Sequence, residues 1–347
     1  MITPAQTISS TAPAAIQILE AMEKPLSLWL GQTEFNNWLA QVDNLPSCSA
    51  LFLEISTNSL RPGCDVITSV RASDGTLTEL LINPITETSA AWQKTGAMLT
   101  RWQQQLQGQS GYLRTHCFSM WLEFDIQQQQ HKAGDPAVFI ALTPQARITE
   151  LAGDLIDYPD LQYALQRSKS LLEKVAGTDT LVLGHIGYMA SRQKEENKIL
   201  PLRSCWRCND LSHFYQLLEL AAIPFELSVV NKELQWLENL SVYVNSMMLD
   251  LDSDTAFLSD FSLELNVYKP YAPPAAEREN ELFRIIADAG FMKIAQQQKL
   301  LHFSNTYYLK NDQGFISSLH HIKLKFSNSK IQEVKCYWQA SAKPRSW

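Results

Sequence analysis

Short segments in which apolar and polar residues alternate occur in pairs along this chain, and helical patterns separate the pairs. A two-residue period predicts strands with one buried face and one polar face. The predicted pairs are 51–56 with 66–71, 118–126 with 137–142, 181–189 with 199–207, 241–251 with 261–268, and 319–326 with 332–338. Because short connections join the strands of most pairs, antiparallel pairing is favoured over a parallel βαβ arrangement.

Amphipathic helical patterns fill much of the sequence between the strand pairs. Helices are predicted over 13–22, 86–106, 160–175, 211–220, 232–240, 277–289 and 294–301. No linker or break in composition divides the chain, so a mobile segment over residues 1–12 and a single αββα-repeat domain over residues 13–347 are expected. The fold class is therefore α+β, with antiparallel strand pairs alternating with helices.

The polar strand faces leave two architectures open. In the segment 319–326, Ile322, Leu324 and Phe326 share one face and His321, Lys323 and Lys325 share the other. An open antiparallel sheet with helices on one side leaves the polar face in water. A closed ten-stranded barrel with helices outside makes the same face a lumen. Ten strands rarely stay open without curling, and closure removes unpaired edges.

Composition excludes several function classes. Hydrophobic residues make up 45% and charged residues 19% of the chain, as in ordinary globular proteins. A net charge of −7 argues against nonspecific nucleic-acid binding, which needs a basic stripe. The sequence has no run of 18 apolar residues, no signal-peptide pattern and six irregularly spaced cysteines. We expect free thiols, no membrane insertion and a cytoplasmic location.

The last strand pair carries a family resemblance. Lys335 and Tyr337 in VKCYW form a Lys-x-Tyr pair on one strand face, and His321, Lys323 and Lys325 lie on the preceding strand. With the αββα layout, this resembles the ABBA-type prenyltransferases, whose indole-modifying branch has Lys-x-Tyr pairs on inward faces. The WLEFD segment and the HxK…VKxY ending also resemble segments of uncharacterised bacterial proteins, from which no function can be transferred.

The resemblance implies transfer of an isoprenoid group from an allylic diphosphate to an aromatic small molecule or a peptide side chain. The implied diphosphate-binding residues are Lys323, Lys325, Lys335, Arg203 and Arg207. The implied carbocation-shielding residues are Tyr337, Tyr268 and Tyr188. Glu54 matches the acidic residue that binds or deprotonates the acceptor, and Glu123 is its substitute. No particular cofactor is implied, and Mg²⁺ is left open.

The chemistry of prenyl transfer requires such side chains whether or not the family resemblance holds. A diphosphate leaving group needs clustered cations to stabilise the developing charge. An allylic carbocation needs aromatic faces nearby and the exclusion of water. Cations interleaved with tyrosine on one strand face supply both, provided that the face is enclosed.

Three further motifs are interpreted as structural. Cys205 and Cys208 form a CxxC, but strand residues three apart face opposite sides, which disfavours metal chelation. The run Asp250, Asp252, Asp254 lacks the glycine and the final glutamate of a calcium loop, so a solvated acidic hairpin is predicted.

His320 and His321 are adjacent in a strand and should therefore face apart, which predicts surface positions, with one histidine facing a cationic pocket as the alternative.

A second function class is a noncatalytic binding or scaffold protein of a biosynthetic pathway. Common nucleotide, hydrolase and zinc-protease motifs are absent from the sequence. The two classes differ in what they require of Lys323, Lys325, Lys335 and Arg203. Convergence on one enclosed pocket favours the enzyme, whereas separate exposed patches favour the binding protein.

Overall fold

The computed structural model describes most of the chain. The described residues are 13–43, 45–58, 62–73, 75–82, 90–108, 111–126, 136–146, 150–151, 182–188, 202–240, 243–252, 260–267 and 276–342. The segment 1–12, the predicted helix over 160–175 and Tyr268 lie outside them.

Eleven strands and ten α-helices are present among the described residues. The strands are β1 Ala50–Ser56, β2 Asp65–Val70, β3 Cys117–Phe124, β4 Ala137–Leu142, β5 Val182–Tyr188, β6 Leu202–Cys208, β7 Ser246–Asp252, β8 Phe261–Asn266, β9 Asn305–Tyr308, β10 Gly314–Ser327 and β11 Lys330–Ala342. The helices are α1 Ala15–Ala21, α2 Glu23–Leu30, α3 Gln32–Gln41, α4 Thr76–Ile82, α5 Ala90–Gln107, α6 Tyr112–His116, α7 Leu211–Leu220, α8 Leu227–Leu234, α9 Ala276–Asp288 and α10 Ile294–Leu300. Short 3₁₀ helices cover Gln235–Leu240 and Leu301–Phe303.

The sheet is a closed barrel of ten antiparallel strands. Strands β1 to β8 pair in sequence order, β8 pairs with β10, β10 pairs with β11, and β11 pairs with β1. Among the described strands, β9 pairs only with β10, at residues 314–317, so it lies beside the ring rather than in it. The predicted α+β fold with paired antiparallel strands is confirmed. Because the sheet closes on itself, the barrel alternative is correct and the open-sheet alternative is not.

The hydrophobic core lies between the barrel and the helices. Outward-facing residues such as Leu53, Leu324 and Trp338 share one buried cluster with helix residues. The Trp338 ring packs against Phe283 of α9 and Phe303, with centroid distances of 5.9 and 5.1 Å. Because the apolar strand faces are covered by the helices, the polar faces turn inward.

Several elements differ from the sequence-based prediction. Helices α2, α3, α4 and α6 and strand β9 are not among the predicted elements. Helices α2 and α3 meet at Gly31, whose φ of 94° breaks what would otherwise be one helical pattern. The hairpin β10–β11 is longer than predicted because a β-bulge at 319–321 interrupts the alternation from which its start would be read.

The six cysteines are all buried free thiols, as expected from their irregular spacing. Cys205 lies on the inward face of β6, whereas Cys208 lies in the outer core. Two thiols on opposite faces of a strand cannot chelate one metal ion, which agrees with the structural interpretation of the CxxC.

No helix in the described part of the chain has the length and apolarity needed to cross a membrane.

Candidate active site in the barrel lumen

Strand alternation places a ring of ionisable side chains inside the barrel. Their sequence neighbours point outward into the core cluster, which fixes the inward direction of the ring. The carboxylate, lysine, arginine and tyrosine side chains of this ring are Glu54, Asp65, Glu123, Arg203, Arg207, Asp250, Asp252, Glu264, Lys323, Lys325, Glu333, Lys335 and Tyr337. The structure therefore brings the predicted cations Lys323, Lys335 and Arg203 into one enclosed lumen, with Lys325 at its rim.

Glu54 is at the centre of a three-residue cluster. It lies directly opposite Tyr337 in the β1–β11 pairing and is 4% exposed. Lys335 donates to one of its carboxylate oxygens and the Tyr337 hydroxyl donates to the other. Burial alone would raise the pKa of Glu54, but the charge of Lys335 and these hydrogen bonds lower it to about 2. Glu54 is thus ionised and both of its oxygens are engaged.

Lys323 forms a second cluster with two carboxylates. Its ammonium pairs with Asp250 of β7 and, at 3.1 Å, with Oε1 of Glu264 on β8. Burial alone would lower the pKa of Lys323, whereas the two carboxylates raise it above its ordinary value. For Asp250, burial and the charge of Glu264 raise the pKa, and Lys323 opposes this shift. Lys323 is therefore charged and neutralised within the barrel wall.

The remaining basic residues differ in their pairing. Arg203 makes a two-pronged contact with Asp252, with nitrogen–oxygen distances of 2.7 and 2.8 Å. Lys325 is 48% exposed on its side chain and pairs with Glu333 at 3.1 Å. Among the residues that the structure describes, no carboxylate lies within ion-pair distance of Arg207. Most of the positive charge in the lumen is thus compensated by carboxylates.

Aromatic rings of several types line another part of the lumen. The Trp121 ring lies 5.5 Å from Phe52 and 4.5 Å from His185, measured between centroids. Gly187 leaves room for Phe139, whose ring a Cβ atom at that glycine would meet at 2.4 Å. Sequence reasoning missed these rings, although Phe52 and Trp121 are in phase with Glu54 and Glu123 on their strands.

Two of the three predicted shielding tyrosines are not placed in the lumen by the structure. Tyr188 lies on the outward face of β5 and belongs, with Ile186 and Val138, to the outer core. Ile186, two residues before Tyr188 on β5, points outward in the same direction. Tyr188 therefore cannot shield a cation in the lumen. Tyr268 lies outside the described residues. Tyr337 is the predicted tyrosine that the structure places at the site.

The interpretation of the aspartate run as a solvated hairpin is wrong for its first two members. Asp250 is 3% exposed and Asp252 holds Arg203, so both are inward strand residues. Their basic partners are on other strands, so the run by itself does not reveal the pairing. Asp254 lies outside the described residues.

The surface interpretation of His320 and His321 is also wrong. A β-bulge between Leu319 and His321 places both imidazoles on the inward side. Their Nδ1 atoms are 2.8 Å apart, and the His321 ring stacks on Tyr337 at 4.0 Å between centroids. The alternation rule fails here because one extra residue changes the phase of the strand.

Metal binding finds no support in this part of the molecule. Among the described residues, no three His, Cys, Asp or Glu side chains are arranged to hold a metal ion. The carboxylates of Glu54, Asp250 and Asp252 are bound to lysine and arginine side chains.

Asp65 makes the stability of the protein depend on pH in a way that the sequence did not predict. Burial and the nearby charge of Glu54 raise its pKa from 3.8 to about 8, and Oδ1 accepts a hydrogen bond from the Ile126 amide at 2.8 Å. Between those two pH values the folded chain holds a proton that the unfolded chain has lost. The free energy of unfolding should therefore fall as pH rises across this window.

Replacing Asp65 by asparagine keeps an acceptor for Ile126 and removes the titration. At pH 8 the Asp65→Asn variant should be more stable than wild type by more than about 1 kcal/mol, with the difference shrinking towards pH 5. Urea unfolding from pH 5 to 9 measures this, with the exposed Asp43→Asn as the control. A difference that stays constant over this range would contradict the raised pKa.

Comparisons with known proteins agree with this geometry at the level of the fold. No family model and no curated protein matches the chain. Among solved structures, the apo form of the prenyltransferase PriB superposes with a TM-score of 0.57 and 11% identity, covering 95% of this chain and 97% of PriB. AnaPT from Neosartorya fischeri gives a TM-score of 0.58 and 9% identity, covering 96% of both chains.

Other similar structures include ligand complexes. The 6-dimethylallyltryptophan synthase from Micromonospora olivasterospora, in complex with DMASPP and Trp, has a TM-score of 0.53 and 10% identity and covers 95% of this chain and 98% of its own. The chain thus has the fold of the ABBA prenyltransferases over almost its whole length. The sequence identities are so low that this similarity shows the fold alone.

Proposed function

We propose that this chain transfers an isoprenoid group from an allylic diphosphate to an aromatic acceptor inside the barrel. The observation that carries the proposal is the pairing of Lys323 with Lys335, directly opposite each other on β10 and β11 in the enclosed lumen of a prenyltransferase fold. Opposite residues have Cβ atoms roughly 5 Å apart, so the two ammonium groups can hold one anion together. Carboxylates on both sides keep the two charges stable in its absence.

The charges of the site fit departure of a diphosphate. When the allylic C–O bond breaks, its electron pair leaves on pyrophosphate, and we expect Lys323, Lys335 and Arg207 to stabilise that charge. The allylic cation would lie against the rings of Tyr337 and Trp121, where the barrel wall excludes water. An aromatic acceptor at the same rings can attack the cation.

The acceptor class follows from the lining and from the similar structures. Phe52, Trp121 and Phe139 form an apolar aromatic surface that suits a flat ring. PriB forms a ternary complex with L-tryptophan and dimethylallyl thiolodiphosphate. Tryptophan, tyrosine, simple phenols and short peptides that contain these side chains are therefore the acceptors to test first.

Diphosphate must compete with the carboxylates for the lysines. Glu54 holds Lys335, so its removal should free the ammonium for an anion. The Glu54→Gln variant should bind pyrophosphate more tightly than wild type, whereas Lys335→Ala should weaken binding at least about tenfold, which corresponds to about 1.4 kcal/mol. Titration calorimetry at neutral pH, with and without Mg²⁺, measures both.

Two controls separate binding from folding. The double variant with Glu54→Gln and Lys335→Met leaves no unpaired buried charge and should fold while binding pyrophosphate as weakly as Lys335→Ala. Lys310→Ala removes a surface cation that is 90% exposed and should leave affinity unchanged. If wild type binds neither pyrophosphate nor dimethylallyl or geranyl diphosphate at millimolar concentration, the transferase proposal is wrong. Product formation with the acceptors is read by mass spectrometry.

A noncatalytic binding protein is the second candidate, and the neutralised lumen favours it. Carboxylates already pair with most of the cations in the lumen: Glu54 with Lys335, Asp252 with Arg203, and Asp250 and Glu264 with Lys323. These pairs leave little net positive charge to bind a diphosphate. Such a lumen suits an uncharged aromatic ligand. Binding of an aromatic amino acid or peptide without any affinity for pyrophosphate would decide for this function.

A further inference from the structure

Asp250 on β7 is a buried carboxylate with one oxygen engaged and one oxygen open. Oδ2 accepts a hydrogen bond from the ammonium of Lys323. Oδ1 is buried and receives no hydrogen bond from any residue that the structure describes. The side chain is only 2% exposed. A buried carboxylate oxygen without a donor costs free energy, so this oxygen marks a place where a ligand group is expected.

The groups around Asp250 leave its carboxylate more basic than an ordinary aspartate. The titratable side chains whose charges interact with it are Arg203 and Cys205 on β6, His185 on β5, Glu264 on β8, and Lys323 and His321 on β10. Burial and the charge of Glu264 raise the pKa of Asp250, whereas Lys323 and Arg203 oppose this shift. Cys205 lies directly opposite on β6, and a thiol is only a weak donor.

Glu54 and Asp250 differ as proton acceptors. Lys335 and Tyr337 donate to the two oxygens of Glu54, and its pKa is about 2. Asp250 keeps one oxygen open, and its pKa is raised rather than lowered. Because a general base is more effective when its pKa is closer to the working pH, Asp250 is the stronger base of the two.

The proposed diphosphate site adjoins this carboxylate through Lys323. The same ammonium that pairs with Asp250 would bind the diphosphate. A diphosphate on Lys323 offsets the positive charge that opposes protonation of Asp250, and it adds negative charge nearby. Both effects raise the pKa of the carboxyl group. Asp250 therefore becomes a stronger base when the donor substrate is bound.

The aromatic lining and Asp250 belong to one continuous part of the barrel wall. The His185 ring lies 4.5 Å from that of Trp121. His185 is opposite Cys205, and Cys205 is opposite Asp250. Adjacent strands are about 4.8 Å apart, so Asp250 is about 10 Å along the wall from His185, and inward side chains converge from there. An aromatic acceptor against Trp121 and His185 can thus bring a ring carbon to Oδ1.

We propose that Oδ1 of Asp250 accepts the proton that the acceptor ring loses during prenyl transfer. The inference rests on the proposed function. The allylic C–O bond breaks with its electrons leaving on pyrophosphate, and the acceptor ring forms the new C–C bond with its π electrons. The C–H bond at the attacked carbon then breaks, its electrons restore the ring, and the proton passes to Asp250. Lys323, released by the protonated carboxyl group, keeps its charge for pyrophosphate.

Replacing Asp250 by asparagine tests the assignment. Lys323 keeps Glu264 as a partner in this variant, so no buried charge is left alone. Asp250→Asn should lower kcat about 10²-fold or more. Its affinity for pyrophosphate should not fall, because a competitor for Lys323 has been removed. With an acceptor deuterated at the attacked carbon, the variant should show a larger primary isotope effect on kcat than wild type, because loss of the proton has become rate-limiting.

The second carboxylate on Lys323 supplies the matched comparison. Glu264→Gln makes the same change of charge beside the same ammonium. It should lower kcat far less than the roughly 10²-fold expected for a lost proton acceptor, and it should leave the isotope effect as in wild type. Asp43→Asn, at an exposed position, should keep the wild-type rate. Mass spectrometry of the prenylated product gives the rates, and titration calorimetry gives the affinity for pyrophosphate.

The outcomes separate the two proposals. If wild type transfers prenyl groups but Asp250→Asn keeps its kcat or its isotope effect, the proton acceptor is another group and the transferase stands. Equal losses of kcat in Asp250→Asn and Glu264→Gln, or a parallel loss of pyrophosphate affinity, would show that Asp250 only balances the charge of Lys323, and the assignment would again be wrong. If wild type transfers nothing to any tested acceptor, both proposals fall together.

Discussion

Replacing Lys323 by methionine should lower the free energy of unfolding by about 3–5 kcal/mol at neutral pH, because it leaves Asp250 and Glu264 buried without a counter-charge. Lys323 is only 7% exposed, so water cannot take over its role. Because burial raises the pKa of Asp250, acidification protonates this carboxyl group, so the loss should shrink as pH falls towards 5. Urea unfolding at pH 7.5 and pH 5 measures the effect.

The next lysine on the same face supplies a matched control. Lys325→Met removes an ion pair with Glu333 at the exposed rim, and should change stability by no more than about 1 kcal/mol. A triple variant with Lys323→Met, Asp250→Asn and Glu264→Gln removes all three charges and should recover most of the loss. A loss below about 1 kcal/mol for Lys323→Met alone would show that the cluster is hydrated rather than buried.

Truncating Trp338 to alanine should destabilise the protein by about 3–5 kcal/mol, since the ring is fully buried between β11 and the outer helices. It loses its contacts with Phe283 and Phe303 and the hydrogen bond from Nε1 to Ser304 Oγ at 3.1 Å. Chemical unfolding measures the loss. Since Trp338 points away from the lumen, the folded variant should bind pyrophosphate as wild type does.

Phe118 serves as the comparison for this truncation. It is a large ring on β3, but a register shift leaves it 47% exposed. Phe118→Ala should therefore change the free energy of unfolding by about 0.5 kcal/mol. Equal losses for the two variants would mean that the outer core does not depend on Trp338.

The sequence predicted the two faces of each strand, because alternation is a local property, and left the open sheet and the barrel as alternatives. The hydrophobic period of β10 and β11 was enough to put Lys323 and Lys335 on one side and Leu324 and Trp338 on the other. Closure was not determined by that pattern, since an open sheet has the same alternation. It depends on one long-range pairing, that of β1 with β11.

The ion pairs of the site could not be read from the sequence because their partners are distant in the chain. Lys323 and Asp250 are separated by 73 residues. Asp250 looked like part of a solvated acidic run because its neighbours at 252 and 254 are also acidic. Only the order of β7, β8 and β10 around the barrel brings its carboxylate to a lysine.

The errors at Tyr188 and at the histidines have different physical origins. Tyr188 is two residues from Ile186 and shares its outward phase, so attention to β5 alone would have excluded it. To predict the inward positions of His320 and His321, the β-bulge would have to be known, and no local residue preference strongly predicts a bulge there. The bulge turns both imidazoles into the lumen, so the departure from regular strand alternation lies at the candidate site.

The joining of the first barrel strand to the last also sets an order of events during synthesis. Glu54 and Lys335 are 281 residues apart, so a ribosome adding roughly 5–20 residues per second needs about 15–60 s between them. During that interval β1 has an unpaired edge, and the carboxylate of Glu54 has no cation beside it. The nascent chain therefore passes through a long stage in which an edge strand is open to other chains, and chaperone dependence should end when β11 emerges.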